Sequence, residues 1–333
     1  MVEVLSFTSL ATFLGALLPP AHPAVGGWPC HGTRSFGHRT RIHGSEPAGV
    51  RILVLGATGM LGHKLVQRLS AGHEVVGTTR SATVPAALRG QRLISGVSAE
   101  DFSSITRALA AFRPEAVVNC IGLIKQLKPN RRDQIAINAM FPHQLLELCQ
   151  AAGARLIHLS TDCVFSGRHG NYTESSPPDP VDDYGRSKLL GELEAGGLTL
   201  RTSIIGRELS GGHGLVEWFY SQRGQSTRGF RKAIYSGLTT LEMSRVIANV
   251  LEQHPTLEGV WHVSSAPINK FELLNKVNAL ADLKAVIEPQ DDFVCDRSLD
   301  SARFERQTGY QSPSWDAMLE EMVRDGEVYD TAR

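Results

Sequence analysis

The chain has 333 residues, 42% hydrophobic and 20% charged, which is enough to bury a full core in one large domain or two. Lysine plus arginine balances aspartate plus glutamate at 34 each, and no block of like charge stands out, which excludes a nucleic-acid track and a polybasic membrane anchor. Cys30, Cys120, Cys149, Cys163 and Cys295 are odd in number and form no CxxC pair, so neither a disulfide framework nor a zinc site is expected, but reduced thiols in a cytoplasmic protein.

Residues 1–49 differ from the rest. VLSFTSLATFLGALL, 4–18, has no Lys or Arg ahead of it and is too short for a membrane span of about 20 residues. From Gly26 to Gly49 the chain is rich in Gly, His, Arg and Ser without a period. The reading is a disordered leader or an over-extended start.

From Arg51, short apolar runs alternate with longer amphipathic ones: RILVL, a helix over 60–71, EVVGTT, a helix over 101–112, AVVNCI, a helix over 133–152, then RLIHLS. This rhythm predicts a Rossmann-type α/β fold, a doubly wound parallel sheet with helices on both faces. A helix over 183–195 and a strand over 198–205 continue it. Beyond 206 the rhythm loosens: helices are expected over 239–254, 268–281, 299–308 and 314–325, and a strand at GVWHVSS. The expected division is a cofactor-binding part over 50–206 and a smaller C-terminal substrate lobe over 207–333, with a boundary the chain can cross again.

After the first strand stands GATGMLG. Gly56 suits a sharp turn, Gly59 lets backbone approach a pyrophosphate, and Gly62 lets the next helix pack closely. The helix N-terminus then offers free N–H groups to phosphates. Between a strand and an amphipathic helix, this spacing predicts a dinucleotide site that also uses Thr58, Met60 and Leu61. An acid about 20 residues further on would favour NAD. The second strand instead ends in Thr79 and Arg80, a hydroxyl and a guanidinium suited to a 2′-phosphate, so NADPH is expected rather than NADH. A solvated loop arginine is the plain alternative.

In DDYGRSKLLGELE, Tyr184 and Lys188 are four apart and share a helix face. A cation beside a phenol favours the phenolate, and a phenol so tuned exchanges a proton with a carbonyl or alcohol oxygen. GATGMLG, STDCVFSG and YGRSKLLGE together resemble the extended short-chain dehydrogenase/reductase family, and most its dTDP-4-dehydrorhamnose reductase branch. The likeness is specific through about residue 206, with RSLDSARFERQTGY and PSW similar beyond it. It implies that Tyr184 is the general acid, that Lys188 lowers its pKa and holds the nicotinamide ribose, and that Thr161 polarises the carbonyl. Cys120, Ile121, Gly122 and Ser160 join the implied cofactor contacts. Asn138 resembles the helix asparagine found beside this site or is structural, and Asp162 meets the sugar or shapes the turn. Val164 and Phe165 are further substrate candidates.

Related 4,6-dehydratases follow Thr-Asp with Glu; this chain has Cys163 there. The implied reaction is therefore reduction of the 4-keto group of a nucleotide-activated deoxysugar, without dehydration. The alternatives are an NAD-dependent nucleotide-sugar 4-epimerase and a non-catalytic regulatory subunit like the β subunit of methionine adenosyltransferase. A homodimer fits either kind of protein. Gly96-Val97-Ser98 stands where relatives place an Asp near the adenine, and GFRKAIYSGLTTLEMS departs from the branch's substrate lobe, so the sugar stays open. His158 reads as a satisfied core histidine. Arg201 reads as packing before phosphate binding, and Trp218-Phe219-Tyr220 as a core face before a pocket wall. The histidines show no metal-ligand spacing.

Overall fold

The computed structural model describes residues 49–330, so the reading of the leader falls outside the described residues apart from Gly49. In chain order the first half comprises β1 (Arg51–Leu55), α1 (Gly62–Leu69), β2 (Glu74–Thr79), β3 (Leu93–Ser95), α2 (Phe102–Phe112), β4 (Ala116–Asn119), α3 (Arg131–Gln134), α4 (Phe141–Ala151), β5 (Arg155–Thr161), α5 (Asp183–Leu190) and β6 (Leu198–Thr202). There follow β7 (Ile204–Ile205), α6 (Leu215–Tyr220), β8 (Ser226–Phe230), β9 (Ala233–Tyr235), β10 (Leu238–Thr239) and α7 (Thr240–Gln253). The chain ends with β11 (Gly259–His262), β12 (Ile268–Asn269), α8 (Lys270–Leu280), β13 (Val286–Gln290), β14 (Cys295–Asp296), α9 (Ala302–Thr308) and α10 (Trp315–Asp330).

The main sheet runs β11-β6-β5-β4-β1-β2-β3, and all its pairings are parallel. The doubly wound reading holds. The strand order reverses between β1 and β4, and beyond the carboxyl ends at such a reversal lies the crevice where open α/β sheets bind ligands. Side chains alternate across the sheet as strand geometry requires. Ile52 and Val54 of β1 join the core on one face with Leu65, Val246 and Ile247; Leu53 and Leu55 join the other with Ile105, Phe141 and Leu145.

Local chemistry sets the helix starts. Asp101 accepts from Ser103 N at 3.1 Å ahead of α2, and Thr239 from Glu242 N at 3.3 Å ahead of α7; such caps contribute about 1 kcal/mol each. Three expected elements change shape. The strand expected over 198–205 breaks at Ser203, and β7 leaves the main sheet to pair β10. The helix expected over 183–195 stops at Leu190, because Glu192 and Leu193 turn into the interior. The helix expected over 133–152 carries a π turn at Ile135–Met140, a widening often found at functional sites. β11, from the last third of the chain, returns to pair β6.

Candidate active site

The turn after β1 is built around glycine. Gly56 has φ +79°, its N–H donates to Thr78 Oγ1 at 3.2 Å, and Ala57 N donates to Thr78 O at 2.9 Å. A Cβ on Gly62 would lie 2.1 Å from Gly56 O, whereas a Cβ on Gly59 would meet only that oxygen, at 3.3 Å. Gly62 therefore serves the protein's own packing. Gly59, exposed beside Thr58 and half-exposed Met60, leaves its open side to a ligand. Leu61 is corrected: its side chain is buried in the core beside Leu65, because α1 packs it inward, and only its backbone faces the loop.

At the end of β2, Thr79 is buried and its hydroxyl donates to Ser81 O at 2.7 Å. The hydroxyl expected to meet a 2′-phosphate closes the turn instead. Arg80 is exposed and has no ion pair among the described residues; its charge helps hold the Glu100 carboxyl below its ordinary range, after the Ser98 hydrogen bond that does most.

Across the crevice, Cys120 and Ile121 leave β4 against the glycine turn: a Cβ on Gly56 would lie 3.2 Å from both the Cys120 carbonyl carbon and Ile121 Cγ1. The Cys120 thiol is pushed up to about 12 by burial. Gly122 is exposed at the rim. Asn138, on the π turn, accepts from Leu123 N at 2.8 Å and donates to Leu123 O at 2.9 Å and Ser187 Oγ at 3.2 Å. Its amide clamps the loop after β4 to α5. Ser160 donates to Glu192 Oε1 at 2.6 Å, behind the crevice.

β5 and α5 bring the expected reactive groups together. Asp182 caps α5 through Gly185 N at 2.7 Å, and a Cβ on Gly185 would lie 2.2 Å from Cys163 O. That missing side chain lets α5 press onto the loop after β5, a requirement the sequence reading overlooked although the Gly stands inside YGRSK. Thr161 Oγ1 donates to Asp162 Oδ1 at 3.1 Å and accepts from Cys163 N at 3.1 Å. Burial pushes the Asp162 carboxyl up, against Arg297 and the Thr161 hydrogen bond. Burial also raises Tyr184, with Cys163 next, while the Thr161 hydroxyl, within hydrogen-bonding reach, pulls the other way. Part of the Tyr184 residue is open to solvent, but its hydroxyl end is enclosed, and the enclosed end decides. The expected lowering of the phenol by Lys188 is thus corrected. The lysine turns away from Tyr184, donating to Leu159 O at 2.6 Å, and burial pushes its own amine down to about 8.

The substrate role expected of Val164 and Phe165 changes. Val164 and Phe165 are fully buried in a small apolar cluster with Tyr172 and Leu299, and Phe165 stacks on Tyr172 with centroids 4.2 Å apart. Their side chains form wall structure and do not meet a substrate. Arg201 reaches no crevice phosphate; it donates twice to Glu192, at 2.7 and 2.6 Å, both side chains buried. Phe219 packs in the core, while Trp218, 38% exposed, lines a cavity of about 420 Å³ with Gln126, Gly212, His213, Leu215 and Lys270. Thr161 and Tyr184 are not part of that lining, but Lys270 is near enough to act on the Asp162 carboxyl. Among the described residues no cluster of His, Cys, Asp and Glu could hold a metal.

A parallel 3-2-1-4-5-6 sheet, a glycine turn at its switch point, and Thr, Tyr and Lys at the ends of β5 and on α5 define an NAD(P)-dependent oxidoreductase of the extended short-chain dehydrogenase/reductase type. Within that class, the chain belongs to the family of the RmlD substrate binding domain, whose model matches residues 50–328. It is 37% identical over 145 residues to a dTDP-4-dehydrorhamnose reductase of Streptomyces griseus, a match covering 43% of each chain. It is 28% identical over 239 residues to the methionine adenosyltransferase 2 subunit beta of Danio rerio, covering 67% of this chain and 71% of that one. A crystal structure of a hypothetical dTDP-4-dehydrorhamnose reductase from Sulfolobus tokodaii superposes with a TM-score of 0.68 at 27% identity, over 80% of this chain and 99% of that one.

Proposed function

We propose that this protein reduces the 4-keto group of a nucleotide-activated deoxysugar with NADPH, in the synthesis of sugar precursors or polysaccharides. The observation that carries this reading is the pairing of Thr161 and Tyr184 beside Cys163. Burial and the neighbouring Asp162 push the Cys163 thiol up to about 12, so it neither gives nor takes a proton near neutrality. Expelling water from a sugar needs a further acid or base at that position, whereas reduction of a ketone needs only hydrogen-bond donors at its oxygen.

The cofactor fits the crevice. The loop of Gly56, Thr58, Gly59 and Met60 with the start of α1 would hold the pyrophosphate, Arg80 a 2′-phosphate, and Lys188 the nicotinamide ribose. When bound, NADPH supplies the hydride. Tyr184, held protonated by burial, gives its proton to the sugar oxygen as charge develops there. Thr161 turns its hydroxyl from Asp162 Oδ1 to the same oxygen and stabilises that charge. Residues 50–206 would carry the cofactor, and the chain beyond 206 would supply the substrate lobe with the cavity beside Trp218 and Lys270. No helix among the described residues is long and apolar enough to cross a membrane, and we place the protein in the cytoplasm, with a homodimer as its expected assembly.

A second reading, a non-catalytic NADP-binding regulatory subunit, is favoured by the Danio rerio relative, whose match covers two thirds of this chain. An epimerase that retains NAD is disfavoured by Arg80 and the lack of an acid ending β2. The test is NADPH absorbance decay with a panel of nucleotide 4-keto-6-deoxysugars, with Tyr184→Phe alongside. Turnover that the variant loses supports the reductase; tight NADPH binding without turnover on any ketosugar supports the regulatory subunit.

A further inference from the structure

Lys188 is 6% exposed, and its amine meets two groups of β5: Leu159 O at 2.6 Å and His158 Nε2 at 3.4 Å. The polarity of the second contact is set from the neighbouring strand β4, where Asn119 pairs in register with His158. The Ile121 N–H, which can only donate, donates to Asn119 Oδ1 at 3.0 Å. That contact fixes the amide's orientation, so Nδ2, also only a donor, is the atom 3.1 Å from His158 Nδ1. Nδ1 must accept, and the single proton of a neutral imidazole then sits on Nε2. The ring is neutral, because burial first, then Lys188, then His143 on α4, hold it well below the ordinary histidine value. An N–H therefore points at Lys188 Nζ. The contact is a hydrogen bond only when Nζ offers a lone pair.

We propose that Asn119 and His158 are positioning residues, a one-way hydrogen-bond chain anchored on the Ile121 amide that favours the neutral amine of Lys188 in the free protein. Through Lys188 they set the pH at which the amine expected to hold the nicotinamide ribose takes up its proton. The other groups facing the amine pull the opposite way and are spent elsewhere. Glu192 favours the charged form but is engaged by Arg201 and Ser160. Cys120 also favours it, but its thiol remains protonated. Tyr184, one turn earlier on α5, keeps its proton. Burial prevails over them and pushes the amine down to about 8. A core histidine chosen only for packing would have no reason to face the lysine with a donor.

The proton's position can be read without any turnover, from the ¹⁵N shifts of His158 in histidine-labelled free protein. The expected result is the neutral Nε2–H tautomer throughout the range from pH 6 to 8. Asn119→Asp keeps the shape of the side chain but puts an acceptor opposite Nδ1. It is expected to move the proton to Nδ1, strengthen proton binding at Lys188 Nζ at least tenfold, and carry the basic limb of ketone reduction to higher pH. Should that variant fail to fold, His158→Leu, which removes the donor, is expected to strengthen proton binding at Nζ in the same direction, read by ¹⁵N titration of the lysine. An Nδ1–H tautomer in the unaltered protein, or a Lys188 titration unmoved by either variant, overturns the proposal. The limb shift rests on the ketoreductase reading and the tautomer does not, so failure of that reading appears separately, as a correct tautomer without turnover.

Discussion

Gly62 opens α1 directly against Gly56, with room for no side chain: a Cβ would lie 2.1 Å from Gly56 O and 3.1 Å from Ala57 Cα. Both obstacles are backbone, so the loop itself must move. Gly62→Ala is expected to lower the melting temperature and to weaken NADPH binding together. Gly59→Ala separates the two effects, since its Cβ would meet only Gly56 O, at 3.3 Å. Its melting temperature should stay near that of the unaltered protein while NADPH affinity falls by roughly tenfold or more, because the methyl group occupies the side left for the pyrophosphate. Calorimetry with NADPH beside thermal melts checks both; an unchanged affinity in Gly59→Ala would remove the pyrophosphate from this loop.

Arg80 stands exposed beyond β2, with Thr79 buried and its hydroxyl donated to Ser81 O. Discrimination for the 2′-phosphate therefore falls on one guanidinium. A hydrogen bond between charged groups contributes about 1.5–3 kcal/mol, so Arg80→Ala should raise the KM for NADPH roughly 10- to 100-fold and leave that for NADH nearly unchanged. Equal losses with both cofactors would show that Arg80 does not read the phosphate.

Thr161 has one hydroxyl proton, donated to Asp162 Oδ1 in the free protein. The proposed reaction needs that proton on the sugar oxygen. Removing a preorganised donor of this kind costs roughly 10²- to 10³-fold in kcat. Thr161→Val should lose that much, with NADPH affinity intact, and Thr161→Ser should recover most of it. Melts are measured alongside, because Thr161 also accepts from Cys163 N.

The parts legible in the sequence were those encoded by short-range pattern. β1, the glycine turn, and the four-residue spacing of Tyr184 and Lys188 each lie within one stretch of chain, and all fall at the same end of the sheet. What escaped depended on which way side chains turned once packed. Lys188 and Tyr184 share a helix, yet the amine goes to Leu159 O, a choice made by β5 and invisible in helical periodicity. Val164 and Phe165 follow the reactive Thr161, but the 3₁₀ turn at Asp162–Val164 folds them inward against Tyr172 and Leu299. His158 reads from sequence as a core residue, and it is one; the direction of its contact with Lys188 depends on the pairing of β4 with β5, which sets Asn119 beside it.

Glu192 and Arg201 show what such buried polar contacts cost to disturb. Their side chains are 4% and 7% exposed and joined at 2.6 Å, and Ser160 completes the carboxylate's shell. Removing one partner from a buried pair strands the other charge, typically at about 3–5 kcal/mol. Glu192→Gln should lower the urea midpoint accordingly. It should also push the Lys188 amine further down, since Glu192 is the largest of the influences raising it. A midpoint unchanged within error would mean that Arg201 is held well enough by its existing contact with His262 Nε2, 3.2 Å from Nη1.

Acid should loosen the fold through histidines buried in neutral form. His63 donates from Nδ1 to Gly59 O at 2.8 Å and accepts at Nε2 from the Tyr329 hydroxyl of α10; burial pushes its pKa down to about 4. Burial likewise holds His158 and His262 below the ordinary value. In the unfolded chain such rings titrate near 6.5, so between that pH and the folded value the unfolded state binds more protons. Stability is then complete above about pH 6.5 and falls as pH drops toward the folded values, by about 1.4 kcal/mol per pH unit for each ring. Urea unfolding from pH 7.5 to 4.5 should show that decline, and His63→Gln should make it shallower. If stability were flat through this window, the buried rings would have to take up protons as readily as those of the unfolded chain, against the acceptor that Arg201 Nη1 finds at His262 Nε2.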